Sequence, residues 1–371
     1  MKINYLIIFL FVSCSKLSLN KFEIKGTPKI KSHSFIKIGG LSGLNVNKAD
    51  KTELISITDR GPNTKAKDFN KDGIRDRGFI QPKYNPQIII LEKSKNEIKF
   101  KKSIALRYEN KKASGLPNQR GFDEMPFNSK EKRLKFDQKG IDPEGIVKVE
   151  NFYWIVEEYG PSLLKVDLEG NIVNRYVPDL NKSRRFGLKK LPEVLAYRKL
   201  NRGFEGITLL SNKLYLVLQS PIPFKNWKDQ RIGHLIEFDP KTEETTGHYL
   251  FSFDKKGRKI GALATYKNKI LMLEQNADTF KTVFSLDLKD ATNFLGFNIE
   301  NLLKTHKDLK SEYNLIKKDL LIDLTRYSEL TEQEKIEGMD VYNSSLLLII
   351  DNDFDLDDED DQRSYLFEAK L

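Results

Sequence analysis

The chain has 371 residues, 39% hydrophobic and 31% charged, with a formal net charge of +10. Those proportions, together with 23 Phe and 14 Tyr, exclude an intrinsically disordered chain. The lysines are spread over the whole length instead of forming a block, which indicates a solvated basic surface. With no zinc-finger, helix-turn-helix or RNP-like pattern, nucleic acid is not an expected partner.

At the N-terminus, Lys2 precedes an apolar stretch from Tyr5 to Val12 that ends at Ser13 and Cys14, the one cysteine of the chain. A charged start, a short apolar core and a small residue are the parts of a signal peptide, and the stretch is too short to span a membrane. "LFVSCS" resembles a bacterial lipobox, with Phe11 where Leu is usual. The expectation is removal of residues 1–13, acylation of Cys14, a tether over 14–21 and one domain over 22–371. Such a protein is extracytoplasmic, anchored to a bacterial cell envelope and in contact with the membrane through lipid only.

A unit then recurs along the chain. It reads "GLSGLNVNKADKTELISITDRGP" from Gly40, "DPEGIVKVENFYWIVEEYGP" from Asp142, "FEGITLLSNKLYLVLQSP" from Phe204, "IGALATYKNKILMLEQNAD" from Ile260 and "IEGMDVYNSSLLLIIDND" from Ile336. Each copy has a small or acidic residue with Gly, a short strand, a polar turn and a second strand of β-branched and aromatic residues. Fourteen residues after Glu144, Glu205 and Glu337 stand Glu158, Gln219 and Asp351, so a polar group closes the second strand. Further strands follow at 163–170, 234–240, 282–288 and the C-terminus. Strands divided by turn residues with no helical period indicate antiparallel sheets.

From Glu144 the copies at Glu205, Gly261 and Glu337 follow at intervals of 61, 56 and 76 residues, which is the size of a propeller blade. The interval of 102 from Ser42 to Glu144 leaves room for one more blade. The expected fold is all-β, a single β-propeller of about six blades. A short helical insertion is expected over 298–318, before the last blade, and the C-terminal strand at Tyr365 to Ala369 should share a blade with sequence near Phe22 to Ile38.

The motifs "GLSGL", Leu41 to Leu44 with the preceding Gly40, "DRGPN" at 59–63, "SGLPN" at 114–118, "GIDPEGI" at 140–146, "EEYGP" at 157–161, "NRGFEGI" at 201–207, "LQSP" at 218–221 and "EGMD" at 337–340 occur in order over nearly the whole mature chain. In this the chain resembles the family described as esterase-like activity of phytase. The resemblance implies a propeller and a phosphoester hydrolase activity. Two departures, Ser42 in the first unit and Gly261-Ala262 in the fourth, mean that not every blade supplies an equivalent carboxylate.

Several residues are candidates for chemistry. In "DFNKDGIRD", Asp68, Asn70 and Asp72 alternate, Gly73 permits a sharp turn, Ile74 offers a carbonyl and Asp76 a further ligand, the spacing of a calcium loop that lacks its final Glu. The same residues also suit a polar hairpin tip. In "DNDFDLDDEDD", Asp351 and Asp353 end an inner strand and face the propeller mouth as candidate metal or ligand contacts, and the rest reads as a solvated turn or a second, loose calcium site. Glu144, Glu205 and Glu337 read either as metal ligands or as architecture. Asp59, Arg60, Glu157, Glu158 and Arg202 break the repeat, and Arg supplies the forked donors that match phosphate while carboxylates are hard ligands for Ca2+. Each is equally compatible with a structural ion pair. His33, His234, His248 and His306 have no ligand spacing, which argues against zinc, and no GxSxG elbow occurs. Two functional readings result. One is an extracytoplasmic, calcium-dependent, phytase-like hydrolase, monomeric and acting on a small phosphorylated molecule by metal-assisted attack of water. The alternative is a non-catalytic propeller lipoprotein that binds a ligand or partner at the cell surface.

Overall fold

A computed structural model describes residues 18–30, 33–65, 67–71, 73, 76–179, 186–223, 231–276, 279–305, 309–333, 335–356 and 363–371. Residues 1–17, with the expected cleavage and acylation site at Cys14, lie outside them, as do Asp72 and Ile74. Among the described residues no helix is long and apolar enough to cross a membrane.

Each repeat unit folds as the inner hairpin of a four-stranded blade. Blade I is built from Leu41–Val46, Glu53–Thr58, Gln87–Lys93 and Ile98–Ala105. Blade II uses Pro143–Val149, Phe152–Glu157, Ser162–Asp167 and Ile172–Pro178, with Leu188–Leu191 added in parallel. Blade III comprises Phe204–Leu210, Lys213–Leu218, Ile232–Asp239 and Glu244–Ser252, and blade IV Lys259–Tyr266, Lys269–Gln275, Lys281–Asp287 and Lys317–Asp323. Blade V takes Ile336–Tyr342, Ser345–Ile350 and Tyr365–Lys370 from the end of the chain and Leu19–Lys25 from its start. The inner hairpins of blades III, IV and V turn on Ser211-Asn212, Lys267-Asn268 and Asn343-Ser344, all at positive φ, the two-residue geometry that matches strand twist.

Glycines explain how the blades close on one another. A methyl group on Gly43 of blade I would lie 2.8 Å from Cα of Gly145 in blade II. The same construction brings Gly145 to 3.3 Å from the Ile207 amide of blade III, Gly206 to 2.8 Å from the Leu263 amide of blade IV, and Gly338 of blade V to 2.6 Å from the Gly43 carbonyl carbon; Gly261 abuts Ile336. The inner backbones therefore meet in a ring that returns to its start. Five separate apolar cores lie between successive blades, for example Ile57, Ile90, Ile146 and Ile155 between I and II and Leu216, Ile236, Trp154 and Val156 between II and III. Second strands are buried along their length because they have a sheet neighbour on each side and a blade on each face.

The described residues thus form five blades, one fewer than the interval from Ser42 to Glu144 suggested. Between Ala105 and Pro143 there are only the two- and three-residue strands Arg107–Tyr108, Lys111–Lys112 and Pro126–Asn128. The last pairs with Arg77–Phe79 of an earlier excursion. This stretch is turn-rich and lacks apolar alternation, so it packs over the propeller as a loop. The expected helix, Ile299–Thr305 followed by the turn Leu309–Ser311, precedes the last blade and lies within blade IV, between its third and outer strands. Lys317 and Lys318 belong to that outer strand.

N- and C-terminal sequence share a blade, as expected from the pattern. Leu19 pairs with Ala369 and Phe22 with Leu366, antiparallel, and Ile24 then pairs with Ile98 of blade I in parallel. The expected tether is accordingly shorter, since Leu19 to Lys21 are already strand.

Candidate metal centre

The inner strand of each blade begins with an irregularity that takes one residue out of the ladder, Gly43 in blade I. Pairing shifts between Pro143 and Gly145, between Phe204 and Gly206, between Ile260 and Ala262 and between Ile336 and Gly338. Glu144, Glu205, Gly261 and Glu337 are the residues passed over, and a bulge re-aims such a side chain. The end of the second strand is tied to the start of the first. The amides of Asp59, Glu158, Gln219 and Asp351 donate to the carbonyls of Gly40, Asp142, Gly203 and Lys335. These polar residues therefore stand at one level around the same mouth. At Gly40 the positive φ and contact with the Phe354 ring leave no room for a side chain.

Among the described residues three groups of acidic side chains result, each offering one oxygen per residue within 4.8 Å of the others: Asp59, Asp351 and Asp353; Asp142, Glu144 and Glu158; and Glu144, Glu205 and Glu337. All but Asp353 are buried, and Asp353 is 58% exposed. Burial, reinforced by neighbouring acids, pushes the carboxyl groups of Asp59, Asp142, Glu144, Glu205 and Asp351 above the usual range. Burial opposes ionisation of Glu337 too, but Lys335 and Lys259 outweigh it and hold this carboxyl down at about 2.

Three cations partly balance these charges. Arg60 reaches Asp142 at 3.1 Å and Glu124 at 3.2 Å. Lys259 lies 3.4 Å from Glu337, and Lys335 lies 3.1 Å from Asp351 and also pairs with Asp353. Arg77 grips Glu124 with two bonds of 3.0 and 3.1 Å, which fastens the loop over 118–126 beside the mouth. Of these partners, Asp142, Glu124, Lys259 and Lys335 were not singled out from sequence. Asp142, Lys259 and Lys335 each stand two residues before the axial position, on the same strand face, and that register is the signal that would have found them.

Other expected site residues fall elsewhere. The Glu157 carboxylate turns into blade II, where it binds Arg175 at 2.5 Å and Ser162, because neighbours on a strand face opposite ways. Its carboxylate is thereby committed to an ion pair inside the blade. Arg202 bonds the Asn201 carbonyl at 2.7 Å and adds positive charge near Glu124. In the stretch over 68–76, Asp68 accepts from the Gly73 amide and Asp76 from the Phe69 amide, both at 2.9 Å, the bonds of a polar hairpin tip. Asn70 is exposed there.

Residues 36–354 match the phytase-like family described as esterase-like activity of phytase. The chain belongs to that phytase-like family. No curated protein matches it. Among solved structures, an aldose sugar dehydrogenase from Streptomyces coelicolor is 9% identical, covering 95% of this chain and 99% of its own, with a TM-score of 0.36. The RS223 β-xylosidase is 8% identical, covering 89% and 92%, with a TM-score of 0.41. The Neurospora crassa Pan2 WD40 domain is 8% identical, covering 90% of each chain, with a TM-score of 0.33.

The donor set of this phytase-like propeller is all oxygen, which suits a hard cation such as Ca2+ and no soft metal. The outer group fits a ligand-exchanging ion best, since Asp353 opens it to solvent while Asp59 and Asp351 are fixed.

Proposed function

We propose that this phytase-like propeller is a calcium-dependent phosphoester hydrolase acting on a small phosphorylated molecule at its mouth. The observation that carries the reading is the convergence of Asp59, Asp351 and Asp353 within 4.8 Å beside the Lys335 ammonium, where hard anionic ligands and a phosphate-binding cation share one opening. Calcium held by these three carboxylates supplies charge neutralisation and polarisation of a phosphoryl oxygen. Lys335, 30% exposed, is placed to donate to another phosphoryl oxygen. Arg60 is buried and acts through others, since its backbone amide and guanidinium fix Asp142 while the guanidinium also binds Glu124. Asp142 is a raised carboxyl near Asp59, and a raised carboxylate is suited to take a proton from water near neutral pH.

A second reading is supported by the low exposure of the carboxylates, 0% for Asp142 and 2% for Glu158. In it the cation is structural and the propeller binds a partner without turnover. One assay separates the two. A panel containing phytate and a chromogenic phosphomonoester is incubated with calcium or with chelator. Chelator-sensitive hydrolysis that Asp351→Asn abolishes supports the enzyme, and no turnover across the panel selects the binding protein. Motivated by the lipobox-like segment, we also propose an extracytoplasmic protein anchored through acylated Cys14. Equal detergent partitioning and equal mature mass for wild type and Cys14→Ser would refute the anchor.

A further inference from the structure

We propose that Glu144, Glu205 and Glu337, together with the side-chain oxygens of Ser42, Gln219 and Gln275, form an axial calcium site that draws a ligand from every blade and clasps the propeller shut. It stands whether or not the outer group is catalytic.

Glu205 is 1% exposed, its carboxylate lies against the Gln219 side chain with no well-aligned hydrogen bond on either oxygen, and one of its oxygens belongs to the group with Glu144 and Glu337. A buried carboxylate left this way requires a proton or a cation. Neutral oxygens around it decide between them. Gln219 lies against Glu205, is 5% exposed, and its Oε1 has no donor. Ser42 occupies the Glu144 position of blade I, is 0% exposed, and its Oγ has no partner. In blade IV, Gly261 leaves space that the Gln275 amide fills. Its Nε2 donates to the Ile336 carbonyl at 2.8 Å, and its Oε1 remains buried and unpartnered.

A proton on Glu205 would donate to a single neighbouring oxygen and would leave the others unsatisfied. A cation serves all of them at once. Lys259 forms its ion pair with Glu337, at 3.4 Å. Six protein oxygens, carboxylates mixed with amide and hydroxyl groups, leave no place for the waters that magnesium retains and so favour calcium. Because blades I, II, III, IV and V contribute Ser42, Glu144, Glu205, Gln275 and Glu337 respectively, binding is coupled to closure of the ring.

The test uses purified protein without substrate, titrated calorimetrically with calcium or magnesium and melted with calcium or with EDTA. Wild type should bind calcium in preference to magnesium and melt higher with it. Glu205→Gln should weaken one calcium site at least about tenfold, through loss of a charged ligand. It should lose most of the thermal rise that calcium gives wild type. Ser42→Ala should weaken the same site several-fold with little change in EDTA. Should Glu205→Gln fail to fold, Ser42→Ala decides. Asp353→Asn, in the outer group, should retain the axial response. The proposal is overturned if wild type neither binds calcium nor responds thermally, if Glu205→Gln responds to calcium as wild type does, or if Ser42→Ala binds with unchanged affinity.

Discussion

Glu157 and Glu158 are adjacent in the chain and enter different parts of the molecule: Glu157 is bonded to Arg175 at 2.5 Å within blade II, and Glu158 shares the mouth with Asp142 and Glu144. Glu157 also accepts from the Tyr159 amide at 2.8 Å, and both it and Arg175 are buried. Removing one partner of such a pair leaves a buried charge uncompensated. Glu157→Ala should therefore lose about 3–5 kcal/mol of stability in urea denaturation. Glu158→Gln keeps the shape and relieves repulsion, so it should fall within about 1 kcal/mol of wild type in chelator. Equal losses in the two variants would mean that the carboxylates are not so divided.

Ring closure predicts a contrast between two glycines with similar backbone. Gly43 has φ +67 and its missing Cβ would lie 2.8 Å from Gly145 Cα, whereas Gly26 has φ +76 and nothing within 4 Å. Gly26→Ala should cost about 1 kcal/mol for conformation alone. Gly43→Ala adds a backbone clash at the axis and should cost at least about 2 kcal/mol. Thermal melts of the two variants side by side give the comparison. A smaller loss at Gly43 than at Gly26 would contradict the close approach of blades I and II.

His234 and His248 supply a pH dependence whose sign follows from burial. Their ring nitrogens are 2.9 Å apart in blade III, with His248 pushed down to about 3 and His234 well below its ordinary value by burial and by His248. The folded state keeps them neutral while the unfolded chain takes up protons below about pH 6.5. Their contribution to stability is complete above that value and is lost as pH falls from about 6.5 towards 3, by up to about 1.4 kcal/mol per pH unit for each ring. Comparison with His248→Gln removes the carboxylate background. The stability advantage of wild type over this variant should shrink by about 2 kcal/mol between pH 7 and pH 5. Parallel curves for the two proteins would show that His248 does not titrate on unfolding.

The blades were legible because acidic-Gly pairs, alternating strands and the interval of fourteen residues recur, and all three follow from a ring of inner hairpins. Glu158 was legible by that interval, and the same parity assigns Glu157 to the opposite face. Lys259 and Lys335 were not, because 63 basic residues hide two. Only their register two residues before Gly261 and Glu337 distinguishes them. Blade count was misread because length between repeats does not distinguish four strands from a loop. The loop over 106–142 is held by buried polar contacts, such as Asn118 to the Gly140 carbonyl at 2.6 Å, which leave no apolar period in sequence. Ser42 and Gly261 stood out only as departures from the repeat, and Gln275, whose amide fills the space that Gly261 leaves, was not singled out.

The N-terminal strand yields the last prediction. Leu19–Lys25 supplies the outer strand of blade V and bridges to blade I through Ile24 and Ile98, so it closes the ring from the rim while the glycines close it at the axis. Ile24 is 5% exposed in the core between those blades, and its amide donates to the Ser364 carbonyl at 2.9 Å. Ile24→Ala should cost about 2–4 kcal/mol through lost burial and the cavity left behind. Deleting residues 1–25 should cost more, since it also bares the Tyr365–Lys370 strand edge and invites pairing between molecules. The truncated protein should melt lower, be cleaved faster near its C-terminus and form concentration-dependent assemblies. Light scattering and limited proteolysis read those effects directly. A truncated protein that melts with wild type and stays monomeric would mean that the rim contributes nothing to closure, and that the ring holds at the axis alone.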